Sequence, residues 1–323
     1  MIYIWQKELW RATWARQDEL PHALLLHGPE GIGKLAFAEH LCQAMLCESR
    51  DRAAAPCGQC DACRWFLAGS HPDFRRVEPE SLARDTGEAN EDEVVPASKG
   101  AKPSTEIKID QVRGLDNFLN LRSHRGGRRV ALVRPAEDMN PNAANALLKG
   151  LEEPPGAASF VLVSHRPSSL LATIRSRCVA LAMPAPDRAA AQAWLESQGA
   201  SQAGTWLAFA SGSPLRALAL SQGVAGGLDR KRRALAEGNL EALVAVSNRE
   251  DVEELAELLQ KYALDRATAT YCGQTLFGTS PKPGNGRAWL RFARQMGRDK
   301  LLAGHPLNPR LFAEQMLQGM PRD

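Results

Sequence analysis

Gly28-Pro29-Glu30-Gly31-Ile32-Gly33-Lys34-Leu35 has the pattern of a phosphate loop. An apolar run, Leu24–Leu26, precedes it, and a helical pattern with Phe37, Ala38, Leu41 and Met45 on one face follows. In such a turn, glycines let backbone N–H groups wrap a phosphate, and the helix N-terminus adds partial positive charge. Gly28, Gly31 and Gly33 are the candidate loop glycines, and Lys34 stands where a loop lysine reaches the outer phosphates. The next position calls for a Ser or Thr hydroxyl to ligate Mg²⁺, and it holds Leu35. A second element of hydrolysis is missing too. Such an ATPase needs acidic residues at the end of a neighbouring strand. Here Val130–Val133 runs into Arg134-Pro135, and acids arrive only at Glu137-Asp138. The loop therefore reads as unable to hydrolyse ATP. Weak nucleotide or anion uptake through Lys34 and the loop amides stays open, as does a turn whose glycines serve geometry alone.

Cys47, Cys57, Cys60 and Cys63 form the spacing C-x₉-C-x₂-C-x₂-C. Four thiolates this close suit tetrahedral Zn²⁺ and leave no open position, so the site reads as structural. It does not by itself argue for DNA binding, because no basic recognition helix accompanies it. Cys42, Cys178 and Cys272 are expected to be ordinary packed residues. Ser176-Arg177-Cys178 precedes the last strand-like run, and alone an arginine there reads as a surface charge. Arg113, Arg122, Arg125, Arg128 and Arg129 make a basic stretch diluted by Asp110 and Asp116, which reads as a solvated face. No histidine pair has metalloprotease spacing and no Gly-x-Ser-x-Gly turn is present, so familiar hydrolase chemistry has no foothold.

The elements that must position these groups fall into two kinds. Short runs at Leu24–Leu26, Phe74–Val77, Val130–Val133, Phe160–Val163 and Val179–Met183 alternate with helical patterns, which predicts a parallel α/β sheet. Asp110 is the expected N-cap of a helix over Gln111–Leu121, and Asn140-Pro141 opens another that stops at Glu153-Pro154-Pro155. Residues 83–105 are rich in acids, Gly, Ser and Pro, and read as a flexible insertion. After Pro184 and Pro186 only helices are expected: Ala189–Leu195, Gly204–Ala210, Pro214–Leu220, Asp251–Leu264 and a last one capped by Asn308. The expected organisation is an α/β domain over 1–184, a small helical domain over 185–223 and an all-α domain over 224–323.

The chain has 323 residues, 44% hydrophobic and 24% charged, the composition of a soluble globular protein. Its net charge is only +3, so no whole-molecule grip on nucleic acid or anionic lipid follows. No apolar run approaches a membrane span, and the N-terminus lacks a signal-peptide pattern, so the expected compartment is the cytoplasm.

The phosphate loop, the four cysteines after its helix, Ile109-Asp110-Gln111-Val112-Arg113, Asn145–Pro155 with its Leu-Glu-Glu-Pro-Pro end, and Ser176-Arg177-Cys178 occur in that order. This order resembles the AAA+ clamp-loader subunits of bacterial DNA polymerase III over about residues 20–220. The departures at Leu35 and Arg134-Pro135 make the chain similar to the delta-prime branch rather than to the gamma and tau motor subunits. The resemblance implies an AAA+ domain, a helical lid and a C-terminal collar that joins a hetero-pentameric ring with gamma/tau and delta. It implies a stationary member of the replisome's polymerase holoenzyme, in the nucleoid, which helps load the sliding clamp on primer-template DNA. Arg177 would then be an arginine finger supplied in trans to a neighbour's ATP. Ser164 falls at the position called sensor 1 and Arg216 at sensor 2. The competing readings are an active gamma-type motor, and a zinc-ribbon nucleic-acid-binding module.

Overall fold

Five short strands rich in Val, Leu and Ala pair into one sheet: β1 (Ala23–His27), β2 (Phe74–Val77), β3 (Arg129–Val133), β4 (Ala158–Ser164) and β5 (Val179–Ala182). The computed structural model describes residues 2–86, 103–121, 123, 127–222, 226–244, 246–273, 275, 285–303, 305 and 308–321. The strand order is β2-β3-β4-β1-β5, and every pairing is parallel. β3 and β4 are buried along their whole length, as a sheet covered on both faces requires. The period-two alternation of strands then feeds two cores. Leu25, Ala131, Val133, Phe160 and Leu162 join the buried faces of α5 (Ile109–Asn120) and α6 (Pro141–Glu152), which follow four earlier helices. Those earlier helices are α1 (Lys7–Trp14), α2 (Lys34–Leu46), α3 (Asp61–Leu67) and α4 (Glu80–Thr86). Leu24, Leu26, Val130, Leu132, Val161 and Val163 join Phe37, Leu41 and Met45 of α2 and Trp14 of α1 on the other face.

Parallel pairing gathers the carboxyl ends of the strands along one edge. Val77 is opposite Val133, and His27 is opposite Ser164. The residues that follow these positions are therefore neighbours, which is why the candidate chemistry collects there. A short helix α7 (Ala172–Arg175) returns the chain to β5.

Local rules account for most boundaries. Asn140 Oδ1 accepts the Ala143 N–H at 2.8 Å and Pro141 fills the first turn, so α6 starts as expected. Asp110, expected as a cap, instead lies in the first turn of α5. Gln111 Oε1 accepts the Lys108 N–H at 2.9 Å, and so the helix opens at Ile109. The expected insertion over 83–105 begins in helix α4; residues 87–102 lie outside the described residues. Glu80 holds both ends of that segment, accepting from Ser104 N at 3.2 Å and Lys108 Nζ at 2.7 Å. Arg129, expected on a solvated face, is buried: it pairs with Asp73 at 3.5 Å, donates to the Phe118 carbonyl and lies 4.7 Å from the Phe118 ring centre. Arg122 and Arg125 lie outside the described residues.

The chain divides into two compact units, Met1–Pro186 and Asp187–Asp323. The second unit contains α8 (Arg188–Ser197), α9 (Ala203–Phe209), α10 (Pro214–Ser221), α11 (Gly226–Glu237), α12 (Arg249–Cys272), α13 (Gly286–Leu302) and α14 (Pro309–Gln318). No strand occurs among its described residues. A cluster of buried side chains runs from Ala191 to Leu317, with Trp206, Phe209, Trp289 and Phe292 as its largest members. The expected boundary near 223 falls outside the described residues. Cys42 is buried and Cys178 half-buried as expected, but Cys272, at the end of α12, is exposed. Among the described residues no helix is long and apolar enough to cross a membrane.

Glu257 of α12 organises the polar interior of this unit. Its carboxylate meets Arg216, Lys261 at 2.7 Å and Lys300 at 2.9 Å. Burial alone would raise its pKa, but Lys261, Lys300 and Arg216 outweigh burial and pull it down to about 2. A depressed folded-state pKa adds stability above the unfolded carboxylate value of about 4.3, and this is lost as pH falls toward 2. Glu257→Gln should lower the melting temperature by several degrees at pH 7 and flatten the acid-side decline. Thermal melts from pH 7 to pH 2 check this; an unchanged profile would remove Glu257 from the account of stability.

Candidate functional site

The loop after β1 has a backbone that depends on its glycines. Gly28, Gly31 and Gly33 have φ of +155°, +74° and +88°, a region that L side chains rarely adopt. Two of these glycines also permit close approach. A Cβ on Gly28 would lie 2.0 Å from the Met183 carbonyl oxygen, and one on Gly33 would lie 2.4 Å from the Tyr3 ring. Lys34 is buried, and its ammonium donates back to Gly28 O at 2.8 Å and to Pro29 O, closing the loop on itself. Burial lowers the Lys34 pKa to about 8, against the opposing pull of Glu137 and Glu30. Leu35 packs against the apolar core beside α2 and offers no ligand oxygen.

The strand ends beside this loop hold an ion pair in place of free acids. Arg134 and Glu78 follow the paired residues Val133 and Val77, and their charged atoms meet at 2.5 Å with little exposure. Gln111 Nε2 donates to the Glu78 carbonyl at 2.9 Å, which gives the Ile109–Arg113 motif a positioning job. The late acid Glu137 is fully buried, and its Oε1 accepts the N–H groups of His165 at 2.8 Å and Arg166 at 3.0 Å. It thus holds the chain that leaves β4. Ser164 is completely buried at the end of β4, opposite His27, and its Oγ has no hydrogen-bond partner among the described residues. Glu78 was invisible as a site residue in the sequence, and Glu137 stood out only as an acid placed too late. Only the position of Glu78 one residue past a strand could have pointed to it.

Arg177 is brought to a second motif. Its Nε donates to Glu152 Oε1 at 2.6 Å and its Nη1 to the Thr173 carbonyl at 2.9 Å, with Ser176 Oγ at 3.4 Å. Glu152 belongs to the Leu-Glu-Glu-Pro-Pro run at the end of α6, so two separate sequence motifs form one surface pair. About a third of the Arg177 side chain and half of the Glu152 side chain remain exposed. Arg216, by contrast, is engaged inside the second unit by Glu257.

The four cysteines converge where α2 ends and α3 begins, and their sulfurs all lie within 4.8 Å of one another. Cys47 caps the C-terminus of α2 and Cys60 is the N-cap of α3. The N–H groups of Cys57, Cys60 and Cys63 each donate to the preceding cysteine's sulfur of the set at 3.4 Å. Tetrahedral coordination at about 2.3 Å implies sulfurs about 3.8 Å apart, and Cys47 and Cys60 already stand at 4.0 Å. Backbone N–H groups of Gln59 and Cys60 pull the Cys57 thiol down to about 6, whereas burial pushes Cys47 and Cys63 up. A cation is what would keep all four as thiolates, and the donor set fits a metal ion.

Comparison with known proteins covers the unit that carries these groups. The family model described as DNA polymerase III, delta subunit, matches residues 6–187. Relatives described as DNA polymerase III subunit delta' include that of Pseudomonas aeruginosa, 45% identical over 228 residues (69% of this chain, 62% of that one). The Yersinia pestis relative is 34% identical over 267 residues (76% and 69%), and that of Escherichia coli K12 is 34% identical over 205 residues (62% and 55%). The chain thus spans somewhat over half to two thirds of the length of these curated relatives.

The cysteine cluster lies inside the matched segment and makes a direct prediction. Metal analysis of the purified protein should find one ion per chain. Cys63→Ser should abolish that content and lower the melting temperature, because metal binding contributes folding free energy. Cys272→Ser should change neither. Full metal content in Cys63→Ser would exclude the cluster as the site.

Proposed function

This chain belongs to the DNA polymerase III delta-prime subunit family, and from that premise we propose that it is the non-hydrolysing, stationary subunit of the clamp loader. In this reading it joins the gamma/tau motor subunits and delta in a five-membered ring, through its C-terminal helices. The ring sets the sliding clamp on primed DNA. The residues around the loop fit poorly with Mg²⁺-dependent hydrolysis, and the observation that carries the reading is the Glu78–Arg134 pair. A magnesium site needs a free carboxylate just past that strand; the position after β3 instead holds the Arg134 guanidinium, paired with Glu78. Leu35 removes the other expected ligand. An active gamma-type motor would need both.

The active contribution is Arg177, supplied in trans to the ATP of a neighbouring motor. Its fork can contact two phosphate oxygens and stabilise the charge that develops on the transferred phosphoryl group. Glu152 holds the fork extended until then. A partly exposed pair of this kind is worth about 1 kcal/mol or less, so a phosphate can displace the carboxylate at little cost. Ser164 could only report on a ligand in this chain's own loop, and the engagement of Arg216 by Glu257 favours a packing role for it. Zn²⁺ is the ion that the Cys47, Cys57, Cys60 and Cys63 set suits best, as a structural clip.

Two measurements test this. The isolated chain should turn over no ATP above background with Mg²⁺; robust turnover lost in Lys34→Ala would favour the motor reading. A ring reconstituted with Arg177→Ala should assemble yet lose DNA-stimulated ATPase severalfold. An arginine finger contributes on the order of 10³–10⁵ at one site, but several sites share the total rate. Arg177→Lys should not restore it, since lysine lacks the planar fork. Unchanged turnover in an intact ring would reduce Arg177 to a surface residue.

A further inference from the structure

The segment Tyr3–Trp14 touches both the phosphate loop and the cysteine cluster, which lie at opposite ends of α2. Thirteen helical residues separate those ends, about 20 Å at 1.5 Å per residue. At the loop end, Trp5 Nε1 donates to the Ile32 carbonyl at 3.0 Å. Gln6 Nε2 donates to the Ile32 and Gly33 carbonyls at 3.1 and 2.8 Å. Tyr3 stacks on Trp5 with ring centres 4.9 Å apart and lies against Gly33, where any side chain would collide with it. Gln6 is buried, so its bonds to the loop carbonyls are desolvated.

At the cysteine end the contacts form a closed latch. Trp14 Nε1 donates to the Arg52 carbonyl at 2.8 Å. The Arg52 guanidinium lies 5.8 Å from the Trp14 ring centre and donates to the Cys47 carbonyl at 3.3 Å. Between the two ends, Trp10 stacks on Trp14 at 5.2 Å and meets Phe37 and His40 of α2 edge-on. Burial pulls the His40 pKa down to about 4, so Trp10 packs on a neutral ring.

We propose that residues 3–14 are a strap that couples occupancy of the four-cysteine metal site to the conformation of the phosphate loop. The inference rests on the metal reading above. The Arg52 loop lies between Cys47 and Cys57, so the ion that fixes those two cysteines also fixes the carbonyl that anchors Trp14. With that carbonyl fixed, α1 is held along α2, and Trp5 and Gln6 are kept on Ile32 and Gly33. Without the ion the 47–57 loop gains freedom, the Trp14 anchor is lost, and the loop end of the strap loosens with it. The phosphate loop is thereby held in one shape by a site that never touches it. Coupling of this kind is reciprocal in binding free energy: loosening the loop end must weaken zinc affinity.

Hydrogen exchange on the full-length chain tests this, with zinc stoichiometry measured on each sample. In zinc-loaded Trp14→Phe, amides of residues 3–14 and 28–35 should exchange about fivefold faster or more. Gln6→Ala, at the far end, should weaken zinc affinity severalfold, read by equilibrium competition with a chromogenic chelator. Zinc-loaded Trp14→Phe with unchanged exchange at 28–35, or Gln6→Ala with unchanged zinc affinity, would overturn the coupling. If the wild-type chain holds no zinc, the metal reading fails first, and metal analysis reports that separately. Should Trp14→Phe fail to fold, Gln6→Ala, which removes only bonds at the loop end, decides by its zinc affinity.

Discussion

The buried pair of Glu78 and Arg134 is the constraint around which the carboxyl edge of the sheet is arranged. Taking a guanidinium out of water costs several kcal/mol unless a carboxylate meets it. Parallel pairing of β2 with β3 places the two residues side by side one position past their strands. Gln111 of α5 then fixes the Glu78 backbone, so the helix that carries the Ile109–Arg113 motif helps hold the pair. In the proposed reading, the position just past β3 thus carries a paired cation where a magnesium site needs a carboxylate. The neighbouring loop can keep its glycines and its lysine and still lack the partner that hydrolysis requires.

In the proposed reading the loop serves as a joint rather than as a reactive centre. Gly28 lets the chain pass within contact of Met183, and Gly33 admits Tyr3. Lys34 ties the loop to itself, and Trp5 and Gln6 tie it to the N-terminal segment. In the same reading, the group offered to another molecule lies elsewhere on the same unit. Arg177 projects from the turn after α7 with a planar fork aligned by Glu152 and Thr173. The division is physically sensible: an arginine donated to a neighbour must be rigid enough to aim and weakly enough paired to let go.

The features legible in the sequence were those set by short-range rules. Strands β1, β3 and β4 are apolar runs bounded by turn residues, the loop glycines follow a fixed spacing, and Asn140-Pro141 starts a helix by local hydrogen bonding. The cysteine spacing pointed to one cluster because a tight turn can bring closely spaced sulfurs together. The partners were not legible. Glu78, Glu152 and Glu257 are ordinary acids until tertiary contacts bring Arg134 to the first, Arg177 to the second, and Arg216 and Lys300 to the third. Arg129 looked like one cation of a solvated stretch, yet it is buried between Asp73 and Phe118 because it opens a central strand. Asp110 lost its expected capping role to the Gln111 side chain, which competes for the same N-terminal turn.

The central claim is that this chain's Arg177 serves another subunit's ATP while its own loop stays chemically idle. The most direct test is a structure of the reconstituted ring trapped with a transition-state analogue of γ-phosphoryl transfer. The account expects the Arg177 guanidinium to have left Glu152 and to contact the analogue in the adjacent motor, with the Glu78–Arg134 pair intact. Arg177 still paired to Glu152 and remote from every analogue, or the analogue and Mg²⁺ bound productively in this chain's own loop, would contradict it.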